Sequence, residues 1–204
     1  LAVTAAGMSI APQLFAAKKK HVLGVQLYTI RDAIAKDLTG SLERLSKLGY
    51  NEVELFGYNG TFFGKTPKEF SKICSDLGLT PVSGHYLSGR IGNGPGTLVN
   101  GWQKAVDDAA EINLKYMVCA WLPPAERTIE MYKSLPALLT TAGEACKKSG
   151  IQFCYHNHDF EFDTVDGTVP LKHILQNTDD KLVKIELDLY SVAKAGQDAV
   201  KIFE

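Results

Sequence analysis

From residue 22 onward, short β-branched or apolar runs alternate with longer amphipathic stretches. The runs predict strands over Val22–Tyr28, Glu52–Phe56, Pro81–His85, Tyr116–Trp121, Gln152–His158 and Val183–Asp188, since short apolar runs bounded by turn residues suit pleated backbone. The stretches between them predict helices over Leu38–Leu48, Pro67–Leu77, Thr97–Ile112, Met131–Lys148 and Val169–Gln176, and a last helix from Val192 to Glu204. Three helix ends share one form. Lys47-Leu48-Gly49-Tyr50, Asp76-Leu77-Gly78-Leu79 and Lys148-Ser149-Gly150-Ile151 each put glycine where the backbone must turn left-handed before the next strand. Strand centres near 25, 54, 83, 118, 155 and 186 stand roughly 29 to 37 residues apart, a repeated βα architecture that predicts a parallel sheet with right-handed crossovers.

A barrel and an open doubly wound sheet both satisfy that spacing, so the two faces of the strands decide between them. Leu23, Val25 and Leu27 alternate with Gly24, Gln26 and Tyr28; Val53 and Leu55 with Glu52 and Glu54; Phe153 and Tyr155 with Cys154, His156 and His158; Ile185 and Leu187 with Glu186 and Asp188. Ser83 and His85 share a face. Strands covered by helices on both sides are apolar nearly throughout. Here one face turns polar toward the C-terminal ends, which predicts a TIM-type (β/α) barrel with outer helices and an inner face opening into a site. No Gly-x-Gly-x-x-Gly follows the first strand, where a dinucleotide-binding fold keeps its phosphate loop.

The 204 residues suffice for one sizeable core. With 22 Lys and Arg against 23 Asp and Glu, the net charge is −1, which argues against a protein whose task is to neutralise nucleic-acid phosphates. No apolar run is long enough to span a bilayer. Leu1 to Ala17 carry no charge and precede Lys18-Lys19-Lys20. Residues 1–20 therefore read as the remnant of an export signal, or else an N-terminal extension, and predict an exported, periplasmic protein whose barrel domain occupies 21–204. Without export the location would be cytoplasmic. The four cysteines, at 74, 119, 146 and 154, show neither a Cys-x-x-Cys pair nor metal-ligand spacing and are expected to be buried free thiols.

Polar groups gather at the predicted strand ends. Alternation points His156 and His158 the same way, so the pair can grip one cation or a substrate, and Asp188 supplies a carboxylate at the equivalent end of the sixth strand. Zinc, manganese or cobalt suit such mixed donors better than calcium, which prefers oxygen alone. Gln26 and Tyr28, Glu54, His85 and Trp121 face the same mouth. Glu54, on an interior face, must be paired to stay charged and serves either the substrate or a neighbouring ring nitrogen. His85 follows Ser83-Gly84, which allows close approach, and Trp121, backed by Pro123-Pro124, forms a rigid apolar wall. His21 and His173 fall outside strand ends and read as surface residues.

Five segments, Gly24-Val-Gln-Leu-Tyr-Thr-Ile-Arg-Asp32, Glu52-Val-Glu-Leu-Phe-Gly57, Ser83-Gly-His85, Tyr155-His-Asn-His-Asp-Phe-Glu-Phe162 and Ile185-Glu-Leu-Asp-Leu-Tyr190, resemble the sugar phosphate isomerase/epimerase family, the xylose isomerase-like TIM barrels. Singly each is weak; in order, at barrel spacing, they are specific. The resemblance implies a divalent metal (manganese, zinc, cobalt or magnesium) held by groups from the fifth to eighth strands, with nearby carboxylates moving protons on a keto or hydroxy sugar. It implies His156 and Asp188 as metal ligands, Glu54 and His158 as catalytic groups, and Gln26, Tyr28, His85 and Trp121 as substrate contacts.

Two departures stand out. Where many members have Glu-Asn-His on the fifth strand, this chain has His156-Asn157-His158, so a carboxylate that is both ligand and base is replaced. A metal-bound imidazole keeps no lone pair for a proton. Either another group is the base, or the chemistry shifts toward elimination or hydration, as in inosose dehydratase-like relatives. Only six βα units are present, whereas a full barrel of about 250 residues has eight, the last two bringing in the family a ligand His and a second catalytic Glu; the natural gene is expected to continue.

The leading expectation is thus a metal-dependent isomerase or epimerase acting on a small carbohydrate through a metal-stabilised enediolate. A lyase, dehydratase or keto-glycoside-cleaving enzyme of the same barrel family is the alternative, and a sugar-binding protein without turnover the second. A His-x-His amidohydrolase would carry its pair on the first strand, where Gln26 and Tyr28 stand. The related apurinic endonucleases need several zinc ions and a basic groove, which net charge −1 disfavours. The expected partner is the sugar, with no nucleic acid and no membrane span; a homo-oligomer is compatible with the sequence.

Overall fold

A computed structural model describes residues 22–92 and 94–203. Its six strands, β1 Gly24–Gln26, β2 Glu52–Leu55, β3 Thr80–Leu87, β4 Tyr116–Trp121, β5 Gln152–His156 and β6 Val183–Glu186, form one parallel sheet in chain order. Helices α1 Arg31–Lys36, α2 Leu38–Lys47, α3 Pro67–Asp76, α4 Trp102–Glu111, α5 Ile129–Lys148, α6 Pro170–Asn177, α7 Leu189–Lys194 and α8 Ala199–Phe203 make up the connections. The sheet curls enough for β3 and β6 to touch across its concave face, where His85 Nε2 lies 3.0 Å from Glu186 Oε2. This is the expected barrel-type arrangement. Among the described residues no helix is long and apolar enough to cross a membrane. The export-signal segment and His21 lie outside the described residues.

Local chemistry sets the helix starts. Asp37 accepts from Gly40 N–H at the start of α2, Thr66 and Glu69 form a capping box around α3 with Pro67 behind the cap, and Thr128 accepts from Met131 N–H at α5. Gly49, Gly78 and Gly150 take positive φ after α2, α3 and α5, as their spacing predicts. The outward strand residues Val53, Leu55, Met117, Cys119, Phe153 and Tyr155 are buried against Phe70, Cys74, Leu139 and Cys146 of α3 and α5. All four cysteines are buried and free, as expected.

The differences from expectation cluster at element ends. β1 stops at Gln26 because the Gln26 side chain accepts the Tyr28 N–H and winds Leu27–Ile30 into a 3-10 turn. β5 stops at His156 and β6 at Glu186. Helix α4 starts at Trp102 rather than Thr97 because Gly101, at φ 73, turns the chain just before it. The expected last helix divides into α7 and α8 where Gly196 adopts positive φ. His173 is half-buried on α6, its Nε2 shielded without a partner, rather than a free surface group.

Helix α5 approaches the chain before β6 closely. A Cβ at Gly143 would stand 2.7 Å from the Leu182 carbonyl oxygen, a backbone atom that cannot rotate away. Gly143→Ala is therefore expected to destabilise the fold by about 1–2 kcal/mol net of the helix propensity it gains. At roughly 2–4 °C per kcal/mol, a circular-dichroism melt resolves that loss. An unchanged or higher Tm would show that the Leu182 segment yields freely.

Candidate active site

At the C-terminal ends of the strands lies a cavity of about 880 Å³. All eight residues singled out from the sequence line it: Gln26, Tyr28, Glu54, His85, Trp121, His156, His158 and Asp188. Parallel register brings them level, with Gln26 paired to Glu54 across β1 and β2 and His156 to Glu186 across β5 and β6. A register shift between Val53 and Glu54 sets Ser83 opposite Glu54, to which its hydroxyl donates.

From there the polar side chains form a continuous path across the mouth. Glu54 Oε1 lies 2.9 Å from His85 Nε2, which is also 3.0 Å from Glu186 Oε2. Glu186 Oε2 reaches His156 Nδ1 at 2.9 Å, and His156 Nε2 faces Asp188 Oδ2 at 3.5 Å. Gln26 Nε2 lies 3.3 Å from His85 Nδ1. Glu54 thus braces a ring nitrogen, one of the two tasks its position offered.

These neighbours set the charges. Burial pulls the His85 pKa down, yet hydrogen bonds with Glu186 and Glu54 outweigh it and hold the ring up at about 9. Burial opposes ionisation of Glu186, and hydrogen bonds from His156 and His85 overcome it, holding the carboxyl well below its usual range. His158 goes the other way. Burial and the adjacent His156 lower it to about 4, so the ring is neutral at physiological pH. It stacks on Phe160 at 12°, and the Arg127 guanidinium lies over the Phe160 ring, 3.5 Å from its centroid.

Three placements differ from the sequence reading. Tyr28, His158 and Asp188 were expected at strand ends; each reaches the cavity from a turn or cap instead. Asp188 caps α7, its Oδ1 accepting from Ser191 N–H at 2.7 Å, and Asn157 Oδ1 accepts the Asp188 N–H at 2.9 Å. Asn157, fully buried beneath the two histidines, fixes the loops after β5 and β6 to each other. The residue the sequence reading left unassigned is Glu186. His85, His156 and Glu186 each offer a donor atom, all within 4.8 Å of one another. Its alternation with Asp188 was a signal, but only the curl of the sheet reveals that it meets His85. This donor set, with Asp188 beside His156, is mixed imidazole and carboxylate and fits a divalent cation of the zinc or manganese kind.

A family model described as xylose isomerase-like TIM barrel matches residues 42–204. Among solved structures, a sugar phosphate isomerase/epimerase from Parabacteroides distasonis is 29% identical, covering 92% of this chain and 72% of that chain at a TM-score of 0.78. A second from the same organism is 25% identical, covering 89% and 73% at 0.77. A xylose isomerase-like TIM barrel protein from Mycobacterium smegmatis, in complex with magnesium, shares the fold at 15% identity, covering 88% and 68% at 0.65. No curated protein matches the chain. Strand order, the polar mouth and a family match over most of the sequence agree, and the chain belongs to the xylose isomerase-like TIM barrel family, among enzymes of the sugar isomerase/epimerase kind.

Proposed function

We propose that this protein isomerises or epimerises a small keto or hydroxy sugar by moving a proton at the carbon beside a carbonyl. The observation that carries the reading is Glu54: a carboxylate lining the cavity, held by the Ser83 hydroxyl and the His85 ring. His156, Asp188 and Glu186 are the residues that would hold a divalent cation, such as the magnesium bound to the Mycobacterium smegmatis protein, with His85 Nε2–H left to bridge Glu186 and Glu54. Such a cation, when bound, polarises a carbonyl and stabilises the charge that develops on its oxygen.

The chain's own groups do the rest. Glu54 accepts the carbon-bound proton and returns it, and a donor from His85 Nε2–H keeps that carboxylate oriented between the two events. His158, a neutral ring in the cavity lining, meets the sugar as an uncharged hydrogen-bonding group. Gln26, whose Oε1 is taken by the Tyr28 N–H and whose Nε2 lies 3.3 Å from His85 Nδ1, has one amide hydrogen left to donate. Tyr28 and Trp121 supply apolar surface for the C–H face of the ring.

His156 in the place of a strand-five carboxylate favours a second reading, in which proton removal by Glu54 is followed by loss of a hydroxyl from the next carbon. One experiment serves both. Incubated with a panel of keto sugars in D2O with magnesium or manganese, the protein is expected to place deuterium on the carbon beside the carbonyl, seen by NMR, and to lose that activity with a chelator. Deuterium in a product lacking one hydroxyl supports elimination; no exchange with any sugar overturns both in favour of binding without turnover.

A further inference from the structure

Two cavity-lining rings from different loops are joined through a third and a fourth flat group. Trp121 ends β4 and is 40% exposed, and His158 opens the turn after β5; both line the cavity. Their strands are neighbours within the sheet, β4 pairing with β3 and β5, and β5 with β4 and β6. From one ring to the other runs a ladder. His158 stacks on Phe160 with ring centroids 5.2 Å apart and planes at 12°. The Arg127 guanidinium carbon lies 3.5 Å from the Phe160 centroid and 5.6 Å from that of Trp121. Arg127 thus links an exposed indole to the wall that carries His158.

The chain around Arg127 leaves its guanidinium little freedom. Pro123 is extended and Pro124–Glu126 form a short 3-10 turn, with Glu126 N–H donating to Pro123 O at 2.8 Å and Arg127 N–H to Pro124 O at 3.1 Å. The turn carries the chain back, so that Arg127 Nε donates at 2.9 Å to the carbonyl of Leu122, the residue next to Trp121. Buried Glu126 ties the same turn to the loop after β3 by accepting from the Ser88 hydroxyl and the Ile91 N–H. Phe160 is held as firmly. Its turn, Asp159–Phe162, starts where Glu161 accepts the His158 N–H at 2.8 Å, and Asp159 pairs with Lys194 of α7 at 2.7 Å. A planar guanidinium can lie on one ring, reach a second and still donate from Nε, whereas the compact, strongly hydrated ammonium of lysine cannot. An exposed side chain that a ligand must immobilise costs affinity, and a neighbour that already holds it removes that cost.

We infer that Arg127 is a positioning residue of this site: braced on Phe160 and on the Leu122 carbonyl, it seats the Trp121 indole against the ring of the bound sugar. It acts through Trp121 and by its planar shape as much as by its charge. The inference rests on the reading of the cavity as a sugar site, but concerns how the ring is held rather than what is then done to it.

The test is a double-mutant cycle on sugar binding. Wild type, Arg127→Met, Trp121→Ala and the double variant are titrated by calorimetry with whichever sugar of a ketohexose and aldohexose panel the wild type binds best. Arg127→Met is expected to weaken binding about tenfold, the scale of a partly desolvated cation–π contact, while deuterium exchange at saturating sugar stays within about threefold of wild type. With Trp121 already removed, Arg127→Met should cost less than about twofold more, because the two side chains act as one unit. Arg127→Lys keeps the charge and should behave like Arg127→Met; it carries the cycle if the methionine variant fails to fold. Acrylamide quenching of the sugar-free proteins adds a spectroscopic signature: Trp102 is buried, so the quenchable emission is that of Trp121, and both Arg127 variants should quench more readily. Full affinity in Arg127→Met, rescue by Arg127→Lys or additive losses in the cycle overturns the inference, as does a wild type that binds no sugar of the panel. Failures remain separable: additive losses beside normal deuterium exchange defeat this inference alone, and a coupled cycle without exchange defeats the proposed reaction alone.

Discussion

Glu54→Gln is expected to slow deuterium exchange into a bound keto sugar by about 10²–10⁴-fold, the contribution of a positioned general base, while sugar affinity changes little. The amide keeps the shape of the carboxylate, and its oxygen can still accept from Ser83, whose hydroxyl donates to Glu54. It has no lone pair basic enough to hold a proton taken from carbon. Loss in kcat with KM nearly constant is the signature of an interaction made only in the transition state. Binding by calorimetry and exchange by NMR on the same preparation separate the roles. If affinity falls together with rate, Glu54 positions the sugar; if neither moves, the proton goes to another group, and His158 is the first to test. Metal content should stay at the wild-type level, because Glu54 lies outside the set of His156, Asp188 and Glu186 that would hold the cation.

Much of this site is legible in the sequence. Strand alternation sorted Glu54, His85 and His156 onto the inner face, because a side-chain period of two is fixed by the pleat and survives tertiary context. The same rule overreached at the mouth. It carried the strands on to Tyr28, His158 and Asp188, where polar side chains satisfy nearby N–H groups and end the ladder: Gln26 accepts from Tyr28, and Asp188 from Ser191. Those competing hydrogen bonds are local in kind but depend on rotamers that a sequence does not display. Glu186 was hidden for a different reason. Its partner His85 stands 101 residues away in the chain, and their contact exists only because six parallel strands curl far enough to bring β3 and β6 together. Pairing carried by curvature leaves no trace in a window of ten residues, whereas repeated βα spacing does.

The stability of this fold should fall as pH rises from about 4.5 to about 7, in a part that Glu161 alone supplies. Glu161 is fully buried after β5, where its carboxyl meets the Tyr155 hydroxyl at 2.7 Å and the His158 N–H at 2.8 Å. Burial pushes its pKa up to about 7 despite the hydrogen bonds from Tyr155 and His158, whereas in the unfolded chain it titrates near 4.5. Between those values the folded state holds the proton and the unfolded state does not, so stability declines with pH; below 4.5 both forms are protonated, above 7 both are ionised, and the slope vanishes. At 1.36 kcal/mol per decade the decline amounts to about 3 kcal/mol at most. Glu161→Gln mimics the protonated carboxyl, accepting from the His158 N–H and donating to the Tyr155 oxygen, and should lose this slope. Urea unfolding of both proteins from pH 4 to 8 gives the difference curve. A difference that stays flat would mean that Glu161 ionises in the fold as easily as in the open chain. Because Glu161 holds the backbone of His158, which stacks on Phe160 at the cavity wall, its ionisation state bears on the seating of that wall.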